Sequence, residues 1–328
     1  MSVLLLTNSE IERLLPMADC IEVMSEMFIA LARGAVHQPL RMIVQPPGAA
    51  GLLALMPAYI SGQTPAYGLK AIGVFHGNPA RGKDAHQGGV LLFSGETGEL
   101  LALMNASAIT AIRTAAVSGV ATRALAREDV STLAIIGCGI QARTHLQAMA
   151  AVRPLKLARV ASLHIEKARR FAEEMRARFP FAVEAVESAE QAVRGADLVV
   201  TATTAAQPVI QREWIAPGTH INAVGAYGPN KRELDTATVR ASSFFVDRRE
   251  STLNEAGDYL LASREAGFGP EHIRGELGEL LIGTARGRGS REELTCFKSM
   301  GIAAEDLATA KYLYRRAGQE GAGRWVDF

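Results

Sequence analysis

Residues 131–151, STLAIIGCGIQARTHLQAMAA, decide how the rest of the chain is read. Residues 132–136 form a short apolar run, the composition of a strand buried on both faces. Gly137, Cys138, Gly139, Ile140, Gln141 and Ala142 follow at once and fit G-x-G-x-x-A, the turn that meets a dinucleotide when it joins a strand to a helix. Ala142, Leu146, Met149 and Ala150 then recur on one face of a helix over 141–151. Gly137 permits the tight turn, and Gly139 has no side chain to keep a pyrophosphate off the backbone. Ala142 lets helix and strand pack closely. The unpaired N–H groups and positive dipole end of that helix would face the phosphates.

Downstream, strands at 157–162, 181–184, 197–202, 220–224 and 243–246 alternate with helices, one over 167–179 and one starting at Ser188. Gln191, three residues after Ser188, makes a capping-box pattern. This is βαβ alternation, hence a doubly wound parallel (Rossmann) sheet. Upstream, strands are expected at 3–6, 41–45, 52–56, 68–75, 89–93 and 100–104, with helices at 9–15 and 17–32. The last two strands are joined by the hairpin-type loop 94–98. The Met-rich stripe of Cys20, Met24, Met27, Phe28 and Leu31 is packing, Met being an adaptable core filler. The first third is therefore an α+β layer. An Ala-rich helix over 106–126 joins it to the parallel half. Near the C-terminus, Ala303, Leu307, Ala310 and Tyr314 mark an amphipathic helix expected to return to the first domain. The fold class is α/β. A dinucleotide-binding domain is expected over 119–301, and an α+β domain over 1–118 with 302–328.

A chain of 328 residues has room for two such domains. Net charge is +1 and no basic block is present, which points away from nucleic acid and anionic membranes. The three cysteines, Cys20, Cys138 and Cys296, are far apart and odd in number, so they suggest neither a disulfide framework nor a metal site. With no signal-peptide pattern and no bilayer-length apolar stretch, a cytoplasmic protein is expected.

NAD enzymes place an acid about 20 residues beyond the glycines to bind the ribose 2′-OH. Here that region reads Ser162, Leu163, His164, with no carboxylate. Ser162 can bond a hydroxyl or a phosphate, and His164 favours a 2′-phosphate, so the reading leans to NADP over NAD. Both side chains could equally just face solvent. The seven histidines, His37, His76, His86, His145, His164, His220 and His272, are scattered without metal-ligand spacing, so structural roles are expected. Only His76, close after Lys70, merits attention. No G-x-S-x-G elbow is present.

Several motifs together resemble the ornithine cyclodeaminase/mu-crystallin family. They are Gln38-Pro39-Leu40-Arg41, Leu55-Met56-Pro57-Ala58-Tyr59, Tyr67-Gly68-Leu69-Lys70, Ile112-Arg113-Thr114-Ala115-Ala116, the glycine turn, Ile221-Asn222-Ala223-Val224-Gly225-Ala226 and Phe297-Lys298-Ser299-Met300-Gly301. The resemblance runs over nearly the whole chain. It implies a homodimer acting on a small amino or imino acid, in which the α+β domain over 1–118 with 302–328 is the substrate-binding and dimerisation domain, with Arg41, Lys70 and Arg113 around the substrate. The chemistry agrees, because a guanidinium binds a planar carboxylate bidentately. Lys70 can hold that carboxylate by charge, or donate a proton near an imine if burial lowers its pKa. On residue type alone, solvated surface charge is the ordinary role of all three. Thr114, Thr203 and Thr204 are expected to line the cofactor groove, with Val224 and Gly225 near the nicotinamide.

Two departures separate the chain from a cyclodeaminase. That enzyme has an acid after the Gly-Ala pair, where Tyr227 stands here, and another before Leu-Met-Pro, where Ala54 stands. Tyr227 can donate a hydrogen bond or a proton, but a phenol with a pKa near 10 is a poor base at neutral pH. It can equally be an apolar lid. The expected function is thus NAD(P)-dependent hydride transfer to or from Cα of a small imino or amino acid. The alternatives are ornithine cyclodeaminase and a non-catalytic binding protein.

Overall fold

The computed structural model describes residues 2–328, apart from the side chain of Pro79. The chain divides into two compact units. One runs to Thr114 and resumes at Gly301–Phe328, and the other is Ala115–Met300. The first division falls inside the helix Ala106–Leu125.

The first unit is built on β1 (Ser2–Leu6), β2 (Val36–His37), β3 (Met42–Val44), β4 (Leu52–Ile60), β5 (Ala66–Val74), β6 (His86–Ser94), β7 (Leu100–Asn105) and a C-terminal strand, Arg324–Asp327. The sheet order is C-terminal strand, β1, β7, β6, β5, β4, β2, with β3 also on β4. Strands β4 to β7 form an antiparallel meander. Only β1 with β7 is parallel. Burial alternates: Ala54, Met56, Ala58 and Ile60 of β4 and Ala66, Lys70, Ile72 and Val74 of β5 share the covered face. The helices Met17–Ala32 and Ala303–Glu320 belong to this unit, and the latter packs on β4 and β5. At Gly68 a Cβ would come within 2.8 Å of Leu307 Cδ1, so glycine is what lets this helix approach. The opposite face leaves Leu53, Tyr67 and Leu103 exposed, and Met42, Ile43 and Val44 are exposed on β3.

Strand β4 continues to Ile60, past the expected end at residue 56 and through Pro57. Proline removes a ladder donor. On that side of β4, β3 pairs only Leu53–Leu55 and β2 only Tyr59–Ile60. Residue 57 falls in the gap, where no ladder partner waits for an N–H.

The second unit holds β8 (Thr132–Ile136), β9 (Leu157–Ala161), β10 (Ala182–Ala185), β11 (Leu198–Thr201), β12 (His220–Ala223), β13 (Ser243–Val246), β14 (Ile273–Glu276) and β15 (Thr295–Lys298). Their order is β10-β9-β8-β11-β12-β15-β13-β14, and every pair is parallel. This is the doubly wound sheet. Its order reverses between β8 and β11, and the crevice beyond their carboxyl ends is where such sheets bind ligands. Strands β14 and β15 were not anticipated. β15 reads Thr-Cys-Phe-Lys, and its buried lysine breaks the apolar pattern. At Ser188 the cap forms, with Gln191 N–H donating to Ser188 Oγ at 3.1 Å. The return bond lands one residue early, from Glu187 N–H to Gln191 Oε1 at 3.0 Å.

Among the described residues no helix is long and apolar enough to cross a membrane, and no cluster of three His, Cys, Asp or Glu could hold a metal ion.

Candidate active site

In the second unit, β8 ends at Ile136 and the chain turns at Gly137, whose φ of +114° suits glycine. A Cβ there would also sit 2.4 Å from the Ala202 carbonyl oxygen at the end of β11, so the turn and the neighbouring loop meet across the switch point. Gly139 is the N-cap of the helix Ile140–Val152 and supplies no side-chain cap. A Cβ on Gly139 would meet nothing within 4 Å. The result is an open cradle of backbone at the start of a 13-residue helix. The first turn of such a helix has N–H groups without intrahelical partners, and it favours anions. Ile140 is 52% exposed, Gln141 half-buried and Ala142 fully buried against the sheet. These residues fit a dinucleotide pyrophosphate.

Beyond β9, Ser162 is half-buried and its Oγ accepts from Cys138 Sγ at 3.3 Å. Leu163 is 93% exposed and His164 is exposed as well. Thr204 is exposed, Val224 and Gly225 are half-buried, and Thr114 is buried. Tyr227 is half-buried against the apolar core of the second unit.

Beneath Thr203 and Gly225 lies a carboxylate that the sequence reading did not single out. Glu233, fully buried, accepts from Thr201 Oγ1 at 2.9 Å and from Thr203 N–H and Oγ1, both at 2.7 Å. It also accepts from Gly225 N–H at 2.7 Å and Ala226 N–H at 3.0 Å. One side chain thus ties the loop after β11 to the loop after β12. Gly225 has no room for more, since a Cβ would lie 2.2 Å from Thr203 N and 2.7 Å from Glu233 Oε1. Asp258 Oδ1 in turn accepts from the N–H groups of Glu233 and Leu234 at 2.7 and 2.9 Å. Lys298 Nζ lies 2.9 Å from Asp258 Oδ2 and donates to the Ala226 carbonyl at 2.7 Å. Burial and then Asp258 push the Glu233 carboxyl upward, while Lys298 and the Thr203 bonds pull it down. The net direction is upward, while the three backbone N–H bonds, spread over both oxygens, favour the anion.

In the first unit the structure gathers the three candidate cations. Lys70 sits on the covered face of β5, and Arg113 is near the middle of the helix Ala106–Leu125. They are 3% and 4% exposed, so neither is a solvated surface charge. Two acids in the first turn of the helix Ala303–Glu320 meet them. Asp306 Oδ2 is 2.7 Å from Lys70 Nζ, and its Oδ1 accepts from Arg113 Nε at 3.1 Å. Glu305 pairs with Arg113 Nη1. Arg41, half-buried, donates from Nη2 to the Gly301 carbonyl at 2.8 Å. Gly301 has φ +71°, and a Cβ there would lie 2.6 Å from Arg113 Nη1, so its bare backbone lets both guanidinium groups come close. Burial lowers the Lys70 pKa to about 8, partly offset by Asp306. For Arg113, burial opposes the charge, but Asp306 and Glu305 outweigh it and push the pKa up. Lys70 and Arg113 share the Asp306 carboxylate, and the Arg41 charge acts on Lys70 as well, so three cations converge in one place, a setting that suits a planar carboxylate.

The remaining histidines are mostly structural. His145, buried, bonds Gln141 O at 2.7 Å and Ser118 Oγ at 3.0 Å, and burial lowers its pKa to about 4. His76 is exposed. His86 is exposed at the start of β6, and its pKa is lowered, first by partial loss of hydration and then by the Lys70 charge.

A sequence profile described as "Ornithine cyclodeaminase/mu-crystallin family" matches residues 1–321. The chain belongs to this family. One relative is the Δ1-pyrroline-2-carboxylate reductase of Bacillus cereus, 40% identical over 275 residues, which are 84% of each chain. Among solved structures, the Thermococcus litoralis Δ1-pyrroline-2-carboxylate reductase in complex with NADH and L-proline superposes with a TM-score of 0.95 at 40% identity, over 98% of this chain and 99% of that one. An archaeal alanine dehydrogenase dimer with bound NAD gives a TM-score of 0.93 at 33% identity, over the whole of both chains. Within this family the chain has no acid at position 54. Ala54 lies on the covered face of β4, the same face as Met56, which pairs with Lys70.

Proposed function

We propose that the protein is an NAD(P)H-dependent reductase of small imino acids, of which Δ1-pyrroline-2-carboxylate is the first candidate. The observation that carries this is the grouping of Arg41 with the buried side chains of Lys70 and Arg113 in a chain whose other unit bears the dinucleotide turn. The relatives captured with NADH and L-proline and with NAD support it. Arg41 and Arg113 bind the substrate carboxylate, and Lys70 holds a proton beside the imine nitrogen. Gly137, Gly139, Ile140, Gln141 and Ala142 hold the pyrophosphate. Ser162, Leu163 and His164 meet the adenosine ribose, and Thr114, Thr203, Thr204, Val224 and Gly225 bound the nicotinamide. When bound, the reduced nicotinamide supplies the hydride that Cα accepts. Tyr227 covers the substrate side of the ring. The lack of an acid at residue 54 and the Tyr227 phenol after Gly225-Ala226 weigh against ornithine cyclisation, which needs a base for the δ-amine.

Steady-state oxidation of NADH and NADPH with Δ1-pyrroline-2-carboxylate, Δ1-piperideine-2-carboxylate and pyruvate plus ammonia tests this reading. Turnover of a cyclic imine is expected, and inertness toward all three substrates rules the reading out. The pyruvate arm addresses the amino-acid dehydrogenase variant, which the archaeal relative favours.

The cofactor preference is NADP, because no carboxylate stands beyond β9 to repel a 2′-phosphate. Fluorescence titration should give the lower Kd for NADPH. His164→Asp should move the ratio toward NADH by about tenfold, the equivalent of about 1.4 kcal/mol. A wild type that favours NADH overturns the assignment. The exposed face around Ile43, Leu53, Tyr67 and Leu103 is the surface on which a second copy would dock. Two of the three free thiols, Cys20 and Cys296, are buried, and the setting is a reducing cytoplasm.

A further inference from the structure

We propose that Asp306 is a positioning residue that holds the Lys70 ammonium in place and in its charged form beside the substrate. The proposal rests on the reductase reading. Its basis is the way one carboxylate is divided. Oδ2 meets Lys70 Nζ at 2.7 Å while Oδ1 takes Arg113 Nε at 3.1 Å, and all three side chains are at most 4% exposed. An ammonium has three donors, and Asp306 takes one, which fixes where the other two point. Lys70 also faces Arg113 and Arg41, both of which oppose its charge, and His86 on β6 feels the same field. Its neighbours in register, Met56 on β4 and Val90 on β6, are apolar. Glu305 pairs with Arg113 Nη1. Burial and two guanidinium groups therefore work to strip the proton from Lys70, and Asp306 is the contact that retains it. The position of this acid has a structural basis too. The chain leaves Gly301, whose carbonyl binds Arg41, and Gln38 Oε1 accepts from Ala304 N–H at 2.9 Å, so the first turn is anchored over Lys70.

The test is the pH profile of kcat/KM for Δ1-pyrroline-2-carboxylate with saturating NADH, in wild type and Asp306→Asn. The variant should lose activity on the alkaline side first. Its alkaline limb should move down by at least one pH unit, and activity should recover toward wild type as the pH is lowered. A limb that coincides with wild type, or a loss that is equal at every pH, overturns the proposal. Lys70→Arg stays charged throughout this range, so it should abolish the limb, and a limb that persists in this variant also refutes the idea. NADH affinity by fluorescence should be unchanged in all variants. If the wild type reduces no imine, the reductase reading has failed, and the 13Cε shift of Lys70 then reports its titration without turnover. In that measurement Asp306→Asn must lower the Lys70 midpoint by at least one unit. An unmoved midpoint refutes the role of Asp306 itself.

Discussion

Arg113→Met should lower kcat/KM for the imino acid by about 10²–10³-fold, the factor represented by the roughly 3–4 kcal/mol lost when a buried charge partner is truncated. The same change should cost about 3–5 kcal/mol of stability, because it removes the guanidinium that two buried carboxylates share. Arg113 engages both Glu305 and Asp306 from a side chain only 4% exposed. Steady-state kinetics and urea denaturation at constant m-value measure the two losses separately. Arg113→Lys separates them further. It keeps the charge, so it should recover more of the stability than of the activity, since an ammonium cannot present the planar fork to three carboxylates. A change in kcat/KM below threefold for Arg113→Met would remove Arg113 from the substrate site.

Glu233→Ala should destabilise the protein by about 3–5 kcal/mol and weaken NADH binding by about 10–100-fold, the range spanned by about 1.4–2.8 kcal/mol. The side chain satisfies five donors, three of them backbone N–H groups on the loops after β11 and β12, which are proposed to bound the nicotinamide. Each buried donor left unpaired costs about 1–3 kcal/mol, reduced where water enters the space vacated. The binding loss follows because the Thr203 and Gly225–Ala226 loops would no longer share an anchor. Glu233→Gln is the informative companion. An amide has one acceptor oxygen where the carboxylate has two, so it cannot serve both loops and should fall between wild type and alanine. Nicotinamide fluorescence and denaturant midpoints are the readouts. Unaltered cofactor affinity in Glu233→Ala would reduce this network to a purely structural one.

The contrast between the two units shows which parts of the site were legible beforehand. The glycine turn was readable because strand, turn and helix are consecutive, and each small residue answers a steric demand made within six positions. The register of β4 was harder. Pro57 argues locally for a strand end, and only the gap between β2 and β3 removes the penalty. Arg41, Lys70 and Arg113 entered through resemblance, since a lone cation in a sequence is ordinarily solvated. Nothing local marked Glu305, Asp306 or Glu233. The two acids of the last helix look like ordinary first-turn residues, and Glu233 lies in a charged stretch, Lys231-Arg232-Glu233, that reads as surface.

The amino-acid order alone determined the two-part construction, the parallel sheet and the glycine turn after β8, because hydrophobic period and glycine placement act over a few residues. Tertiary structure alone decided which charges are buried and with whom. Asp306 stands 236 positions from Lys70 and 193 from Arg113. The strength of such a pair depends on desolvation and distance in space, which no stretch of sequence encodes by itself.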